Sequence, residues 1–280
     1  MIKKLLENHI KNNVPDNEVA VLLSGGVDSL SVALAAHHAG KKVHAYSFYL
    51  KGNKSYDFKT AEKFSEKMNW NFTPVEIPTE NIVEDWYRLV DLKCVKKTHF
   101  ECVFPFLYVY PEIEEKYVLT GWGADGYFGP SKKAMMRYAN YQRKRNYVKY
   151  CKEHNQKRLN WNEFRTAYLD GDCAGLKEHT NLATKHDKVH ITPYLDADVR
   201  KLLMSKSYEE LNKPKQKYFI RRDFTELKKF GTIKPHQNLH LNAGVDKLFE
   251  TLLNNTEINF NDRKRMMDVC RDWSKGVLPI

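Results

Sequence analysis

The sequence predicts an α/β protein: a doubly wound parallel sheet followed by a mainly helical C-terminal portion. Over the first 130 residues, short apolar runs alternate with segments of helical spacing, which is typical of parallel strands joined by crossover helices. Two of the apolar runs lead directly into glycine-containing turns, and ligands of such sheets bind at the carboxyl ends of the strands. A parallel sheet of this kind is covered by helices on both faces.

Four strands are predicted from runs of apolar, β-branched and aromatic residues of strand length. They are residues 18–23 (EVAVLL), 42–49 (KVHAYSFY), 71–77 (NFTPVEI) and 116–120 (KYVLT). Beyond residue 130 such runs become weak, and the chain is expected to be mainly helical there.

Helical spacing predicts the segments that connect these strands. The first helix covers residues 30–39 and ends at Gly40, a residue suited to a helix C-terminus. Further helices are expected over 57–68, from 78 onward, and over 104–114, where Pro105 falls in the first turn. Near the N-terminus, the apolar residues that lie on one face of a short helix are Ile2, Leu5, Leu6 and Ile10.

The chain is expected to form one domain over residues 1–280, with an α/β core at about 17–130 and a helical portion at 131–280. Its 280 residues are enough for a substantial core. Hydrophobic residues make up 42% and charged residues 29%, the composition of an ordinary globular protein. No internal repeat or flexible linker divides the sequence.

The N-terminal residues and the cysteines predict the cellular compartment. No apolar run reaches the ~20 residues that cross a bilayer, and the N-terminus lacks the features of a secretory signal. The five cysteines are odd in number and include no C-x-x-C pair, which argues against disulfides and four-cysteine metal sites. We expect a cytoplasmic protein that makes no membrane contact.

Positive charge is concentrated in one segment. The net charge is +11, and residues 131–158 hold ten basic residues against one acid, Glu153. Tyrosines are interleaved with these cations, and cations with rings are what nucleic-acid binding uses. The stretch from Lys132 to Arg158 is therefore a possible nucleic-acid surface; the alternative is the solvated face of an amphipathic helix.

Residues 24–29 (SGGVDS) lie between the first predicted strand and the first predicted helix. A helix N-terminus attracts anions, Gly25 and Gly26 let the backbone approach a phosphate, and Ser24 and Ser29 add hydroxyl groups. Asp28 suits this position if it holds Mg²⁺, which binds carboxylates together with phosphate oxygens. The spacing matches neither the kinase and GTPase loop nor a dinucleotide fingerprint. The alternative is a turn that merely caps a helix.

The SGGVDS segment after a strand resembles the signature of the ATP pyrophosphatases, also called PP-loop enzymes. The resemblance implies a fold of the adenine nucleotide α-hydrolase type, ATP and Mg²⁺ as cofactors, and cleavage of ATP into AMP and pyrophosphate. In these enzymes a nucleophile attacks the α-phosphate, and the adenylated intermediate then reacts with an amine, ammonia or sulfur.

Three further segments resemble the synthetase domain of asparagine synthetase: residues 120–129 (TGWGADGYFG), 190–196 (HITPYLD) and 217–224 (KYFIRRDF). The resemblance covers about residues 19–253. It implies that Asp28 and Asp125 hold Mg²⁺, and that Lys217 and Asp125 are catalytic. The residues that it implies for ATP binding are Leu23, Ser24, Gly25, Gly26, Val27, Asp28, Ser29, Ser47, Phe48, Gly121, Trp122 and Gly123.

Several positions depart from that family's pattern. Trp122 and Gly126 stand where the family has glutamates, and Asn238 stands where it has a lysine. Position 2 is Ile2, so the sequence does not open with the catalytic cysteine of a glutaminase domain. Aspartate is therefore not assumed as the acceptor, and the nitrogen could come from free ammonia, an amine on a substrate or a separate ammonia-supplying subunit.

Three functions follow from these residues. The first is an AMP-forming ligase that adenylates an acceptor, typically a carboxylate, and joins it to ammonia or an amine. The second is a PP-loop enzyme that modifies a nucleic acid or a nucleotide base. The third is a non-catalytic ATP-binding protein, against which the presence of both Asp28 and Asp125 argues.

Overall fold

The computed structural model describes residues 1–94, 97–129, 152, 160–170, 175–229 and 242–255. In these residues five strands form one parallel sheet, with the order β3-β2-β1-β4-β5. The strands are β1 (Glu18–Leu22), β2 (Lys42–Leu50), β3 (Asn71–Ile77), β4 (Tyr117–Leu119) and β5 (Val189–Ile191).

Helices, numbered here in chain order over the described residues, connect and cover the strands. They are α1 (Ile2–Asn13), α2 (Val27–His38), α3 (Tyr56–Met68), α4 (Ile82–Asp91), α5 (Lys97–Val103), α6 (Phe106–Val109), α7 (Ala124–Phe128), α8 (Trp161–Asp170), α9 (Leu176–Lys185), α10 (Ala197–Met204), α11 (Tyr208–Asn212), α12 (Tyr218–Asp223), α13 (Glu226–Lys229) and α14 (Val245–Leu253). Two 3₁₀ turns add Tyr110–Glu112 and Pro193–Leu195.

The predicted fold class is confirmed, and so are the four predicted strands to within one or two residues at each end. Alternate residues of β1 face opposite sides, with Val19 and Val21 in one apolar layer and Ala20 and Leu22 in the other. The first layer contains α1, α2 and part of α3, and the second contains α4, α5 and α6. The sheet is therefore covered on both faces, as expected of parallel strands.

Beyond residue 130, where the sequence predicted a mainly helical chain and no particular strand, β5 adds a fifth parallel strand next to β4. This strand has only three residues, with a histidine in the middle, so it shows neither an apolar run nor a clear alternation. The pairing of Val118 with His190 and of Leu119 with Ile191 places it in the sheet. A long-range contact, not local propensity, therefore determines this element.

The predicted helix over 104–114 is broken into shorter pieces. Helix α5 ends at Val103, Pro105 precedes α6, and a 3₁₀ turn over Tyr110–Glu112 contains the second proline. Proline lacks the N–H that continues a helix and so favours a new start at each position.

The predicted N-terminal helix is confirmed as α1. Ile2, Leu6 and Ile10 are buried, and Leu5 packs against the same layer. Among the described residues, no helix is both long enough and apolar enough to cross a membrane.

Candidate active site

The candidate site lies where the direction of the sheet connections reverses. Strands β1 and β4 are parallel neighbours, with Ala20 opposite Val118 and Val21 opposite Leu119. The chain leaves β1 toward β2 on one side, whereas β4 is followed by β5 on the other side. The connections after β1 and β4 therefore run to opposite sides of the sheet, and ligands of open parallel sheets usually bind at such a switch point.

The loop after β1 is held in shape by its own hydroxyl groups. The Ser29 hydroxyl lies 2.9 Å from that of Ser24, accepts a bond from the Ser24 N–H at 3.1 Å, and lies 3.3 Å from the Gly26 carbonyl oxygen. Ser29 is buried, while Ser24, Gly26 and Asp28 are partly exposed. The loop thus presents its backbone and Ser24 at the N-terminus of α2, where free N–H groups favour an anion.

Two glycines of the site are required by close backbone contacts. Gly25 has φ 71°, and a Cβ there would lie 2.3 Å from the Asp57 carbonyl oxygen. A Cβ on Gly121 would lie 2.7 Å from the Ser29 N atom and 2.8 Å from the Asp28 carbonyl carbon. The turn after β4 therefore touches the start of α2, which brings the two predicted magnesium ligands to the same place.

Asp28, Asp125 and Lys217 converge at this switch point. The Lys217 ammonium donates a hydrogen bond to Asp28 Oδ2 and another, 2.5 Å long, to Asp125 Oδ1. Asp28 lies in the first turn of α2 and Asp125 in the first turn of α7. Three residues separated by 92 and 189 positions thus form one cluster, as their predicted shared role requires.

The charges of the cluster stabilise one another. Lys217 is 4% exposed. Burial acts to lower the pKa of the Lys217 ammonium, but Asp125 and Asp28 outweigh it, and the net effect raises the pKa above its usual value. The lysine is therefore charged at neutral pH. The side chains of Asp28 and Asp125 remain 17% and 35% exposed, so a ligand can reach the carboxylates from the solvent side.

Asn212 positions Lys217, a role that the sequence did not reveal. Its side-chain amide donates to the Phe128 carbonyl at 2.9 Å, and its side-chain oxygen accepts from the Lys217 N–H at 3.1 Å. Lys217 itself has φ 56°, a left-handed conformation that costs a non-glycine residue about 1 kcal/mol. A strained residue held by a buried amide is typical of a functional position.

The segment 190–196 contacts the two helices that carry Asp28 and Asp125, α2 and α7. The Tyr194 hydroxyl lies 2.6 Å from that of Ser31 on α2, and the Tyr194 carbonyl accepts a bond from Tyr127 on α7 at 2.9 Å. Tyr194 is buried, and this burial, with the Asp28 charge as a smaller cause, raises the pKa of its hydroxyl well above 10. Asp196 caps α10 through the N–H groups of residues 198 and 199.

Arg221 adds a second positive charge that the sequence analysis did not assign. Burial lowers the pKa of its guanidinium, and the Asp28 charge opposes this shift. Its Nε–H donates to the Gln216 carbonyl at 3.0 Å, which holds the side chain beside the Lys217 segment. Its only sequence signal was membership in the segment 217–224.

Ser47 and Phe48 lie beside the phosphate loop, but on opposite faces of β2. Leu23 N–H donates to the Tyr46 carbonyl at 2.8 Å, so Ser47 follows directly in the strand next to the loop. Phe48 packs in the apolar layer, with its ring 5.7 Å from that of Phe106 in an edge-to-face arrangement. Their contact with an adenine ring stays a prediction.

The remaining predicted positions fall in two groups. Gly121, Trp122 and Gly123 form the turn between β4 and α7, and Gly123 packs so closely on Leu195 that a Cβ would lie 2.6 Å from that side chain. Asn238 and the basic stretch from Lys132 to Arg158, except for Lys152, lie outside the described residues.

A comparison with protein families gives a match to asparagine synthase over residues 1–218. This range covers more than half of the chain and includes Asp28, Asp125 and Lys217. The chain belongs to the asparagine synthase family. It is therefore an enzyme of the ATP pyrophosphatase family, whose members bind ATP, generally with Mg²⁺.

This member of the asparagine synthase family is similar to other known proteins over part of its length. Carboxyethyl-arginine beta-lactam-synthase of Streptomyces clavuligerus is 27% identical over 128 residues, which are 44% of this chain and 25% of that enzyme's length. Among solved structures, NMN synthetase from Francisella tularensis is 17% identical, with 69% of this chain and 97% of that chain covered at a TM-score of 0.36. A predicted subunit of tRNA methyltransferase from Methanocaldococcus jannaschii is 16% identical, with coverages of 76% and 87% and a TM-score of 0.34.

Proposed function

We propose that this protein adenylates an acceptor carboxylate with ATP, releases pyrophosphate, and joins the activated acyl group to ammonia or an amine. The observation that supports this most strongly is the meeting of Asp28, Asp125 and Lys217 at the switch point of the sheet. Family membership makes ATP the expected nucleotide. The acceptor and the nitrogen donor are parts of the proposal.

The triphosphate would lie against the N-terminus of α2. The first turn of α2, which begins at Val27, offers backbone N–H groups, and the helix dipole adds a partial positive charge there. Lys217 and Arg221 supply two full positive charges close to Asp28. The adenosine would extend toward Ser47 and the end of β2.

Asp28 and Asp125 fit a magnesium site. One carboxylate oxygen of each already contacts a single cation, the Lys217 ammonium, so both can reach a metal ion placed between them. Oxygen ligands from one or two carboxylates, completed by phosphate and water, are what Mg²⁺ prefers. When bound, Mg²⁺ would neutralise negative charge on the phosphates.

The first chemical step would be attack of an acceptor carboxylate oxygen on the α-phosphorus of ATP. The bond from the α-phosphorus to the bridging oxygen breaks, and pyrophosphate leaves with the electron pair. The Lys217 ammonium would release the carboxylates and donate hydrogen bonds to phosphate oxygens as their charge grows. Such a charged donor in a water-poor site typically contributes a factor of about 10² to 10³ in rate.

In the second step an amine or ammonia would attack the acyl carbon. The bond from that carbon to the phosphate oxygen would break, AMP would leave with the electron pair, and the nitrogen would lose a proton to water. Ammonia could enter from solution or from a separate ammonia-supplying subunit.

Pyrophosphate exchange into ATP tests the proposal. Exchange would be measured with Mg²⁺ across amino acids, other carboxylates, nucleotides and short nucleic acids. We expect exchange with one class of carboxylate, and Asp28→Asn should reduce it at least about 100-fold because the phosphate charge is then poorly neutralised. Asp91→Asn, a change at an exposed position far from the cluster in sequence, is the matched control and should retain exchange.

Two results would count against this function. Equal exchange rates in Asp28→Asn and Asp91→Asn would show that the cluster of Asp28, Asp125 and Lys217 takes no part in the reaction. No exchange with any member of the panel, while ATP still binds, would favour the non-catalytic alternative.

A further inference from the structure

The residues just before α14 form hydrogen bonds with the start of α3 and with the loop that precedes it. The Asn242 side-chain amide donates to Asp57 Oδ2 at 2.7 Å, and the Asn53 side-chain amide donates to the Ala243 carbonyl oxygen at 3.2 Å. We call these two hydrogen bonds the latch. They join segments that are 185 and 190 residues apart in sequence.

The first turn of α3 also contacts the phosphate loop, residues 24–29. The Asp57 carbonyl oxygen lies so close to Gly25 that a Cβ there would be only 2.3 Å away. The buried Ser55 side chain accepts a hydrogen bond from the Phe58 N–H at 3.1 Å and thereby fixes the shape of this turn. Asp57 therefore connects two parts of the protein, because its main chain contacts the phosphate loop while its side chain holds the residues before α14.

Helix α14 is anchored by apolar contacts that do not involve the latch. Val245, Phe249 and Leu252 are fully buried in the second apolar layer, and the Phe249 ring lies 5.3 Å from that of Phe100 on α5. Asn242 itself is only partly buried. Loss of the latch should therefore leave α14 folded and should mainly free the first turn of α3 from its support.

The contact between α3 and the phosphate loop determines where the loop lies. It is made by main-chain atoms, which cannot adjust as a side chain does by changing its rotamer. Gly25 has φ 71°, a conformation that glycine adopts readily but that leaves the loop dependent on its neighbours for one fixed shape. A loop that is already held in its bound shape loses less conformational entropy when a ligand arrives, so the support behind Gly25 contributes to affinity.

We infer that the latch positions the phosphate loop for ATP, with Asp57 and Asn242 as positioning residues that act through Gly25. The inference rests on the ATP site of the function proposed above, and not on its adenylation step. Because coupling between two sites is reciprocal, ATP at the phosphate loop should in turn stabilise the start of α14. The net contribution of one hydrogen bond corresponds to a factor of about three to ten in a dissociation constant.

Binding of a non-hydrolysable ATP analogue with Mg²⁺ tests the latch without any chemical step. Calorimetric titration would compare wild type with Asn242→Ala and Asn53→Ala. The control is Asn254→Ala, a change of an exposed asparagine at the other end of α14. We expect the dissociation constant to rise about threefold to tenfold in each latch variant and to stay as in wild type in the control. Asn242→Asp, which places a second carboxylate beside Asp57, should raise it further.

Amide hydrogen exchange separates positioning from a purely structural role. In wild type, a saturating concentration of the analogue should slow exchange at residues 245–248, the start of α14, by about the same threefold to tenfold factor. In Asn242→Ala, saturated with the analogue in the same way, this protection should be lost. In Asn254→Ala it should persist.

An Asn242→Ala protein with a lower melting temperature but a wild-type dissociation constant and wild-type protection would overturn the inference, because Asn242 would then only stabilise the fold. A wild type that does not bind the analogue would refute the ATP site and the latch together. Failure of adenylation alone would change neither measurement, since no bond of the nucleotide is broken in them.

Discussion

At the scale of single residues, Lys217 is a cation placed between two carboxylates that are predicted to bind a metal. Its ammonium contacts both Asp28 and Asp125, so it substitutes for a divalent cation in the ligand-free protein. Mg²⁺ must therefore compete with the lysine for the same oxygens. The competition ends when phosphate oxygens offer the lysine new partners.

Lys217→Met should make the protein sensitive to Mg²⁺ alone. Without the ammonium, Asp28 and Asp125 repel each other, and we expect the melting temperature in chelator to fall below that of wild type. Mg²⁺ without nucleotide should then raise the melting temperature of Lys217→Met more than that of wild type. At ten times the dissociation constant the gain is about 1.4 kcal/mol.

The control for this experiment is Lys215→Met, which changes an exposed lysine two residues away. It should respond to Mg²⁺ as wild type does. A Lys217→Met protein whose melting temperature is the same in Mg²⁺ and in chelator would show that the two carboxylates do not form a cation site.

Asn212→Ala tests whether Asn212 positions Lys217 for the reaction without itself binding ATP. The change removes the bonds to the Phe128 carbonyl and the Lys217 N–H, both buried, and should cost about 1–3 kcal/mol of stability. Because the left-handed turn at Lys217 loses its support, kcat of the ATP reaction should fall about tenfold while the KM for ATP changes less. The exposed Asn81, changed to Ala, is the control; equal kinetics in both variants would contradict the positioning role.

The sequence predicted the charged residues of the cluster but not the residues that hold them. Asp28 follows a glycine pair at a strand end, and Asp125 and Lys217 lie in segments that resemble a known family. Asn212 and Tyr194 act through contacts 84 and 163 residues away in sequence, and such pairs leave no local pattern. Their roles required the fold.

At the scale of elements, the sheet could be predicted where strands are long and apolar. Strand β5 was missed because its three residues include the polar His190, whose nitrogens form hydrogen bonds with Thr120 on the neighbouring segment and Thr180 on α9. Burying the polar imidazole in a sheet costs free energy unless its nitrogens form hydrogen bonds, and here they do so with residues distant in sequence. The local sequence around β5 does not indicate these partners.

Strand β5 should make the fold sensitive to acid. The folded protein lowers the pKa of His190 from 6.5 to about 4, so it favours the neutral imidazole. This stabilisation is complete above pH 6.5 and is lost as the pH falls from 6.5 toward 4, because the unfolded chain takes up the proton first. Between pH 7 and pH 5 we expect a loss of about 1–2 kcal/mol in unfolding free energy.

Denaturant unfolding of wild type and His190→Gln at both pH values measures this effect. Glutamine can still donate and accept hydrogen bonds but does not titrate in this range. His37, His179 and His186 also have lowered pKa values and contribute in both proteins, so the difference between the two reports on His190. Identical pH dependence of wild type and variant would refute the assignment.

At the scale of the whole molecule, the strongest remaining feature is the basic segment from Lys132 to Arg158. It begins four residues after the end of α7, the helix whose first turn carries Asp125. The two interpretations of the segment, a nucleic-acid surface and a solvated helix face, predict opposite results in one binding experiment. The single-domain organisation over residues 1–280 likewise stays a prediction.

A salt titration of nucleic-acid binding separates these interpretations. If the segment binds phosphates, changing Arg143, Lys144 and Arg145 to Gln should weaken binding and reduce the slope of log K against log salt by about 2 to 3. The control changes three lysines of α1 and α3, Lys4, Lys11 and Lys63, to Gln. Absence of any gel shift at low salt in wild type would leave the solvated helix face as the interpretation.

The identity of the products formed from ATP tests the central claim most directly. Phosphorus NMR of ATP turnover with Mg²⁺ and an accepted carboxylate distinguishes cleavage at the α-phosphate from cleavage at the γ-phosphate. We predict AMP and pyrophosphate in equal amounts, with both signals lost in Asp28→Asn and kept in Asp91→Asn. ADP and inorganic phosphate as the products would contradict the account, because the cluster of Asp28, Asp125 and Lys217 would then serve a different reaction.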